Sequence, residues 1–356
     1  MSRGGVPRED FDRALASLRG VAFDETVRRG AVAFTMRRAQ HLLGAAFVEV
    51  DVDTGGGAMR IVFSGDLGSG GSLLLPPLER CERADYLVME STYGGSDRVS
   101  ADDPAERYAP FAAAVGAALE RGGDVLIPAF TLGRTQEVVA ALDLFADRGV
   151  IPAGTLIYTD SPTANRITRI YREHAGELSG TARELYRGEP LHRATHREVR
   201  SRTTIKVHDR SHAPAVFVSS SGDLEYANSP RHLVRMAGDP DNLLCIVGWQ
   251  SPGSVGARLA AGDSTVLVRC REDNRTQEYW ISPALEIASF GAFSGHADGE
   301  GLVAWAGAVE GVRSIFLVHG EPAQAEALAR RLRERHGLRA QVPSAGERVF
   351  LETPGR

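Results

Sequence analysis

An α/β fold carrying a second α/β unit inserted within it is the architecture that this 356-residue sequence predicts. Two observations carry the prediction. Short strand-like segments dominate residues 1–100 and 285–356, whereas residues 101–284 alternate helix and strand. Such alternation indicates a mainly parallel, doubly wound sheet with its loops gathered at one edge. Polar residues also fall repeatedly where strands end, the place where layered α/β folds carry their chemistry.

Taken in order, residues 9–19 have helical spacing, with Phe11, Leu15 and Leu18 on one face. Strand patterns follow at 31–34, 46–53 and 60–63, and His41 lies between the first two. Asp66 sits in Ser64-Gly65-Asp66-Leu67-Gly68, where the glycines leave its carboxylate room to reach a ligand. Residues 84–89 form a buried-strand pattern that ends at Glu90. Asp66 reads equally as a turn residue and Glu90 as a capping carboxylate. In the central part, helices are expected at 104–121, 132–147 and 162–174, and strands at 124–128, 155–159, 215–218 and 243–247. Ser161 and Ser219-Ser220-Ser221-Gly222 offer hydroxyls and backbone N–H groups near helix starts, which suit phosphate oxygens or simple caps and turns. Strand patterns return over 256–289, including 265–269 and 278–281. His296 then lies in the small-residue turn Ser294-Gly295-His296-Ala297-Asp298, and His319 follows the apolar run 315–318. A helix at 322–336 and short strands at 338–342 and 348–351 close the chain. A lone histidine reads first as structural. The two gain weight only from what stands beside them.

Hydrophobic residues make up 43% and charged residues 24% of the chain, as in an ordinary globular protein. No apolar run approaches the roughly 18 residues that span a bilayer, and the N-terminus has no signal-peptide core, so no membrane partner is expected. Cys81, Cys245 and Cys270 are widely spaced, which suggests neither a disulfide framework nor a cysteine zinc site and fits a reducing cytoplasm. A net charge of −5 argues against a protein that coats nucleic acid generally. A local basic groove remains compatible with it, and the Arg-rich segment 193–210 is the candidate, or else a solvated surface.

Five stretches, QHLLGA around His41, SGDLG around Asp66, ESTYG at Glu90, SGHAD around His296 and VHGE at His319, resemble the ordered motifs of the metallo-β-lactamase β-CASP nucleases. That family includes RNase J, archaeal ribonucleases and the endonuclease of mRNA 3′-end processing. IPAFTLGRTQE, TDSPTA and VSSSGDL are similar to stretches of the β-CASP domain, and VPSAGERVFL matches at the C-terminal side. The resemblance implies an αββα metallo-β-lactamase sandwich, incomplete in this chain, with a β-CASP domain inserted at 101–284. It further implies zinc, two ions in a complete site, with His41 on one, Asp66 bridging and His319 on the other. Zinc hydrolysis suits such ligands, since the metals lower the pKa of water and clamp the displacement. Glu90 and His296 are implied as the pair that protonates the leaving oxygen. Arg134, Ser161, Ser220 and Ser221 are the implied substrate contacts. Single-stranded RNA is the expected partner, and a homodimer is compatible with the family.

One signature of the family is not in this sequence. A His-x-His-x-Asp-His loop, three histidines and an aspartate, belongs upstream of the His41 position, and His41 is the first histidine here. With about four donors needed per zinc, the donors present are expected not to hold two ions. Truncation upstream of Met1 is the expected reason, because a decayed site would lose Asp66, Glu90, His296 and His319 as readily. A degenerate homologue acting as an RNA-processing or binding subunit is the competing reading. Truncation of the sandwich is also expected to expose apolar surface and strand edges. Gln40 and Ala45 beside His41, and Asp223 with Glu225-Tyr226-Ala227-Asn228 after the serine run, depart from the family and bear on substrate positioning. RNA is preferred to DNA because His319 fills a motif where the DNA enzymes commonly carry an apolar residue. A hydrolase of small phosphoesters is disfavoured, since a small substrate needs no second domain to form a groove.

Overall fold

The computed structural model describes residues 7–97, 103–201, 204, 205, 208, 213–272 and 275–352. Seven strands build a first, mixed sheet. They are β1 (Thr26–Arg29), β2 (Val32–Arg38), β3 (Ala46–Asp53), β4 (Ala58–Phe63) and β5 (Tyr86–Glu90), with β14 (Ser314–Val318) and β15 (Ala340–Gln341) from the far end of the chain. β1 to β4 form an antiparallel meander, and β4, β5, β14 and β15 run parallel. The order is β1-β2-β3-β4-β5-β14-β15.

Alternation gives this sheet two apolar faces. Phe47, Val62, Leu87, Met89, Ile315 and Leu317 are buried with Leu302 and Val303 of α8 (Gly299–Gly307) and Leu328 and Leu332 of α9 (Pro322–His336). The opposite face carries Phe34, Val50 and Ile61 in one cross-strand row and Val48, Phe63 and Val88 in the next. Among the described residues, Met59, Tyr86 and Phe316 form a small buried cluster there, with Ile61, Val88 and Leu351 packed against it and no helix residue in it. Phe63 and Val318 stay exposed. Covering either of these two side chains would gain at most about 1.5–3 kcal/mol.

A second, wholly parallel sheet comprises β6 (Val125–Pro128), β7 (Leu156–Asp160), β8 (His196–Glu198), β9 (Ala215–Ser219), β10 (Leu243–Ile246) and β13 (Glu286–Ser289). Its order is β13-β10-β6-β9-β7-β8. Its central strands are buried on every residue and apolar but for Ser219 at the end of β9, the pattern of a sheet covered on both sides. Phe111 and Val115 of α2 (Pro104–Glu120) and Leu142 and Phe145 of α3 (Arg134–Asp147) cover one face. Tyr171 of α4 (Pro162–Glu173) and Ala182 of α5 (Gly180–Leu185) extend that layer. α6 (Ser229–Met236), α7 (Val255–Ala260) and a ribbon of β11 (Val266–Glu272) with β12 (Arg275–Ile281) cover the other through Leu233, Leu259 and Val268. The expected doubly wound parallel sheet inserted in a mixed α/β fold is what the chain forms.

Several details differ from the sequence reading. Residues 348–351 form no strand and Phe350 is 94% exposed; Leu351 packs on the face of the first sheet and the Glu352 backbone bonds to the Tyr86 hydroxyl, so the segment crosses the face instead of joining an edge. β13 pairs with β10, so residues 286–289 lie in the second sheet rather than in the C-terminal part. α7, where strands were expected, is started by Ser254, whose hydroxyl accepts from the Ala257 N–H. The helix at the start, α1 (Arg8–Ser17), forms, but Phe11, Leu15 and the following Leu18 remain exposed. Of the basic segment, residues 202, 203, 206, 207, 209 and 210 lie outside the described residues. Arg193 is paired to Asp143 and Asp147 instead of lining a groove.

Candidate functional site

The parallel run of β4, β5 and β14 sets its three C-terminal ends side by side, with Val318 in register with Glu90. Asp66 follows β4, Glu90 ends β5 and His319 follows β14, so residues 253 positions apart (319 minus 66) meet at one sheet edge. His319 takes a left-handed backbone, φ 51°. Gly320 next to it presses on β5: a Cβ there would lie 2.4 Å from Ser91 Oγ and 2.6 Å from the Ser91 carbonyl oxygen. Gly320→Ala is therefore expected to cost about 1–3 kcal/mol of stability by overpacking. Urea denaturation with an unshifted midpoint would count against that close approach.

Two loops bring in the remaining groups. His41 lies between β2 and β3. Its Nδ1–H donates to the Gly295 carbonyl at 3.0 Å, which leaves the Nε2 lone pair facing Asp66 Oδ2 at 3.7 Å. Burial and the neighbouring His296 lower the His41 pKa, against the opposing pull of the Gly295 bond, Asp66 and Glu90, so the ring is held neutral. His296 donates from Nδ1 to Glu90, at 3.1 Å to Oε1 and 3.0 Å to Oε2. Glu90 is 1% exposed, and its Oε1 also accepts the Leu67 N–H at 2.6 Å. That bond ties the Asp66 loop to the same carboxylate. His319 Nδ1 lies 3.3 Å from Asp66 Oδ1 and 3.2 Å from Thr92 Oγ1. The rings of His41 and His296 are 4.4 Å apart, and those of His296 and His319 5.7 Å.

Asp66 thus turns one oxygen to each of two imidazoles, the arrangement of a bridging carboxylate. Two sets of ligand atoms, His41–Asp66–His296 and Glu90–His296–His319, lie within 4.8 Å of one another. His296 and Glu90 are engaged with each other, which leaves two donors at each of the two positions among the described residues. Zinc takes about four. The donors fit the shared part of a two-ion centre and do not by themselves enclose an ion.

A cavity of about 260 Å³ opens beside these groups and runs between the two sheets. His41, Tyr93 and His296 line one wall, and Phe130, Arg134 and Trp249 the other. Arg134 opens α3, where Gly133 at φ 75° passes so close to Leu42 that a Cβ would lie 2.3 Å from Leu42 Cδ2. Two buried side chains clamp the walls together. Arg107 of α2 donates to the carbonyls of Ser69, Gly70 and Ala292. Glu137 of α3 accepts from Ser72 Oγ at 3.0 Å, the Leu73 N–H at 2.6 Å and Tyr108 Oη at 2.9 Å.

Of the four implied substrate contacts, Arg134 lines the cleft and the three serines do not. Ser161 Oγ caps α4 and accepts from Ser220 Oγ at 2.8 Å. Ser221 Oγ donates to Asp223 Oδ1 at 2.7 Å and accepts from the Glu225 and Tyr226 N–H groups. All three are buried and none lines the cavity, so their hydroxyls hold loops together instead of meeting a ligand. Sequence reasoning assigned no role to Arg107, Glu137, Phe130 or Trp249. Trp249, after a strand and a glycine, carried the one usable signal. The cysteines are buried and free, burial pushes the Cys81 thiol up to about 12, and neither donor set found among the described residues includes one. No helix among the described residues is long and apolar enough to cross a membrane.

Comparison with known proteins agrees with this architecture. The Beta-Casp domain matches residues 135–259, and the Zn-dependent metallo-hydrolase RNA specificity domain matches residues 281–343. Ribonuclease TTHA0252 of Thermus thermophilus is 31% identical over 349 residues, 96% of this chain and 74% of that protein. Transcription termination factor FttA of Pyrococcus abyssi is 31% identical over 327 residues, 90% of this chain and 49% of that protein. Integrator complex subunit 11 of Danio rerio is 28% identical over 323 residues, 88% of this chain and 49% of that protein. The chain therefore spans about three quarters of the first relative and about half of the other two. With its parallel inserted sheet, its cleft and these matches across nearly its whole length, the chain belongs to the metallo-β-lactamase β-CASP family.

Proposed function

We propose that this protein binds single-stranded RNA in the cleft between its two sheets and takes part in zinc-dependent hydrolysis of RNA phosphodiester bonds. The observation that carries the reading is the convergence of His41, Asp66, Glu90, His296 and His319 at one end of a cavity whose other wall presents Arg134. The relatives named as a ribonuclease and a transcription termination factor support it. In this reading residues 1–100 and about 290–356 form the metallo-β-lactamase part, and 101–289 the β-CASP part. His41, Asp66 and His319 hold metal, which would supply an activated water and charge neutralisation at the phosphate. Glu90 orients His296 through Nδ1, so that Nε2 is the atom that hands a proton to the leaving oxygen. Arg134 contacts a backbone phosphate.

Incubation of the protein with labelled single-stranded RNA and zinc tests this. Binding that weakens as salt rises is expected, and, once the family's His-x-His-x-Asp-His loop is joined to this chain, cleavage that a chelator abolishes. RNA that is bound but left intact at saturating zinc would favour a second reading, a non-catalytic RNA-processing subunit. The count of two free donors at each metal position is the observation on that side. Absence of RNA binding would overturn both.

A further inference from the structure

We infer that Trp249 forms a nucleobase-stacking subsite at the mouth of the cleft, which makes the site selective for unpaired nucleotides. The inference rests on the proposed reading of the cleft as an RNA site. Trp249 is 59% exposed, yet it lines the same cavity as His41 and His296. It sits beyond the C-terminal end of β10, and its backbone is fixed. Gln250 Nε2 donates to the carbonyls of Gly222 and Gly248 at 3.0 Å each and of Trp249 at 3.3 Å. Phe130 stands behind, against the Gly222 and Gly248 backbones, where a Cβ would lie 2.9 Å and 3.6 Å from its ring. The indole is thus held by a rigid loop with an open face, and that loop lies beside Arg134.

An exposed indole on a fixed loop costs free energy that contact with a flat partner recovers. Beside a phosphate-binding cation, the flat partner of fitting chemistry is a nucleobase. Stacking of this kind tolerates any base, because every base has a π-face. In a duplex both faces are covered by neighbouring bases, so the same indole discriminates against double strands. The cavity has room on the scale of one nucleotide and none for a duplex.

Trp249→Ala and Trp249→Phe test this by fluorescence anisotropy with a short labelled single-stranded RNA in the presence of chelator. Trp249→Ala is expected to weaken binding about tenfold to a hundredfold with the salt dependence unchanged, and Trp249→Phe to recover most of it. Trp280→Ala, which alters an exposed tryptophan on the β11–β12 ribbon, serves as the control and should bind as the parent does. RNAs carrying a single abasic nucleotide at successive positions add a second readout. One position should cost the parent protein affinity and cost Trp249→Ala nothing. Equal affinity of the parent and a folded Trp249→Ala would overturn the stacking subsite while leaving the RNA reading intact. A parent that binds no RNA would overturn both.

Discussion

In a protein that also carries the family's His-x-His-x-Asp-His loop, Asp66→Ala is expected to lower zinc affinity by about a hundredfold or more, whereas His296→Ala leaves it within about threefold and lowers RNA cleavage by about 10²–10⁴. The asymmetry follows from what each side chain faces. Asp66 presents one oxygen to His41 and the other to His319, so its loss removes the group common to both metal positions. His296 is turned by Nδ1 to the buried Glu90 carboxylate, and its role in the proposed reading is proton delivery. Isothermal titration with zinc, alongside cleavage of single-stranded RNA, separates the two outcomes. Equal loss of zinc in both variants would sink this division of roles. Glu90→Gln adds a check, since it keeps the shape but weakens the hold on the His296 ring. Its defect should fall on cleavage and spare zinc.

Glu137→Ala is expected to destabilise the protein by about 3–5 kcal/mol, since each buried donor left without a partner costs about 1–3 kcal/mol. Ser72, Leu73 and Tyr108 would all lose their acceptor. Burial and the Glu137 carboxylate push the Tyr108 phenol well up, so it remains a donor throughout the accessible pH range. The loop at 69–73 follows the Asp66 loop and leads into Leu73–Leu75, which pack in the core of the second sheet, so its loosening should also widen the cleft. Denaturant unfolding followed by near-ultraviolet circular dichroism measures the loss. Glu137→Gln, which retains one carbonyl acceptor, should fall between. A loss below about 1 kcal/mol in Glu137→Ala would show that the clamp is redundant with Arg107.

Much of this was legible in residue order because local physics wrote it there. The apolar runs of β6, β9 and β10, each followed by glycine, proline or serine, mark buried parallel strands wherever they stand. Pro162 after Ser161 announces a helix start, and α4 begins there with the serine as its cap. The same local logic misled at the serine run. Ser161, Ser220 and Ser221 have the residue types of a phosphate site, but whether a hydroxyl meets a ligand or another hydroxyl depends on which loops fold against each other. β1, with the sequence TVRR, has no strand signature and owes its state to the exposed edge of β2. Residues 348–351 have a strand signature, but Leu351 and Glu352 settle on the face of the first sheet instead of an edge.

By itself the sequence determined the element types, the order of the five motif residues and the membership of the family, since these depend on short-range periodicity and on residue identity. Tertiary structure alone decided the rest. It set one carboxylate oxygen against each of two histidines, paired His296 with Glu90 across more than two hundred residues, and turned Trp249 into the cleft. It also left one apolar face of the first sheet open. The physical reason is the parallel sheet. Its crossovers are long, so the strand ends that meet in space are distant in sequence, and neither their register nor their facing is written in any local pattern.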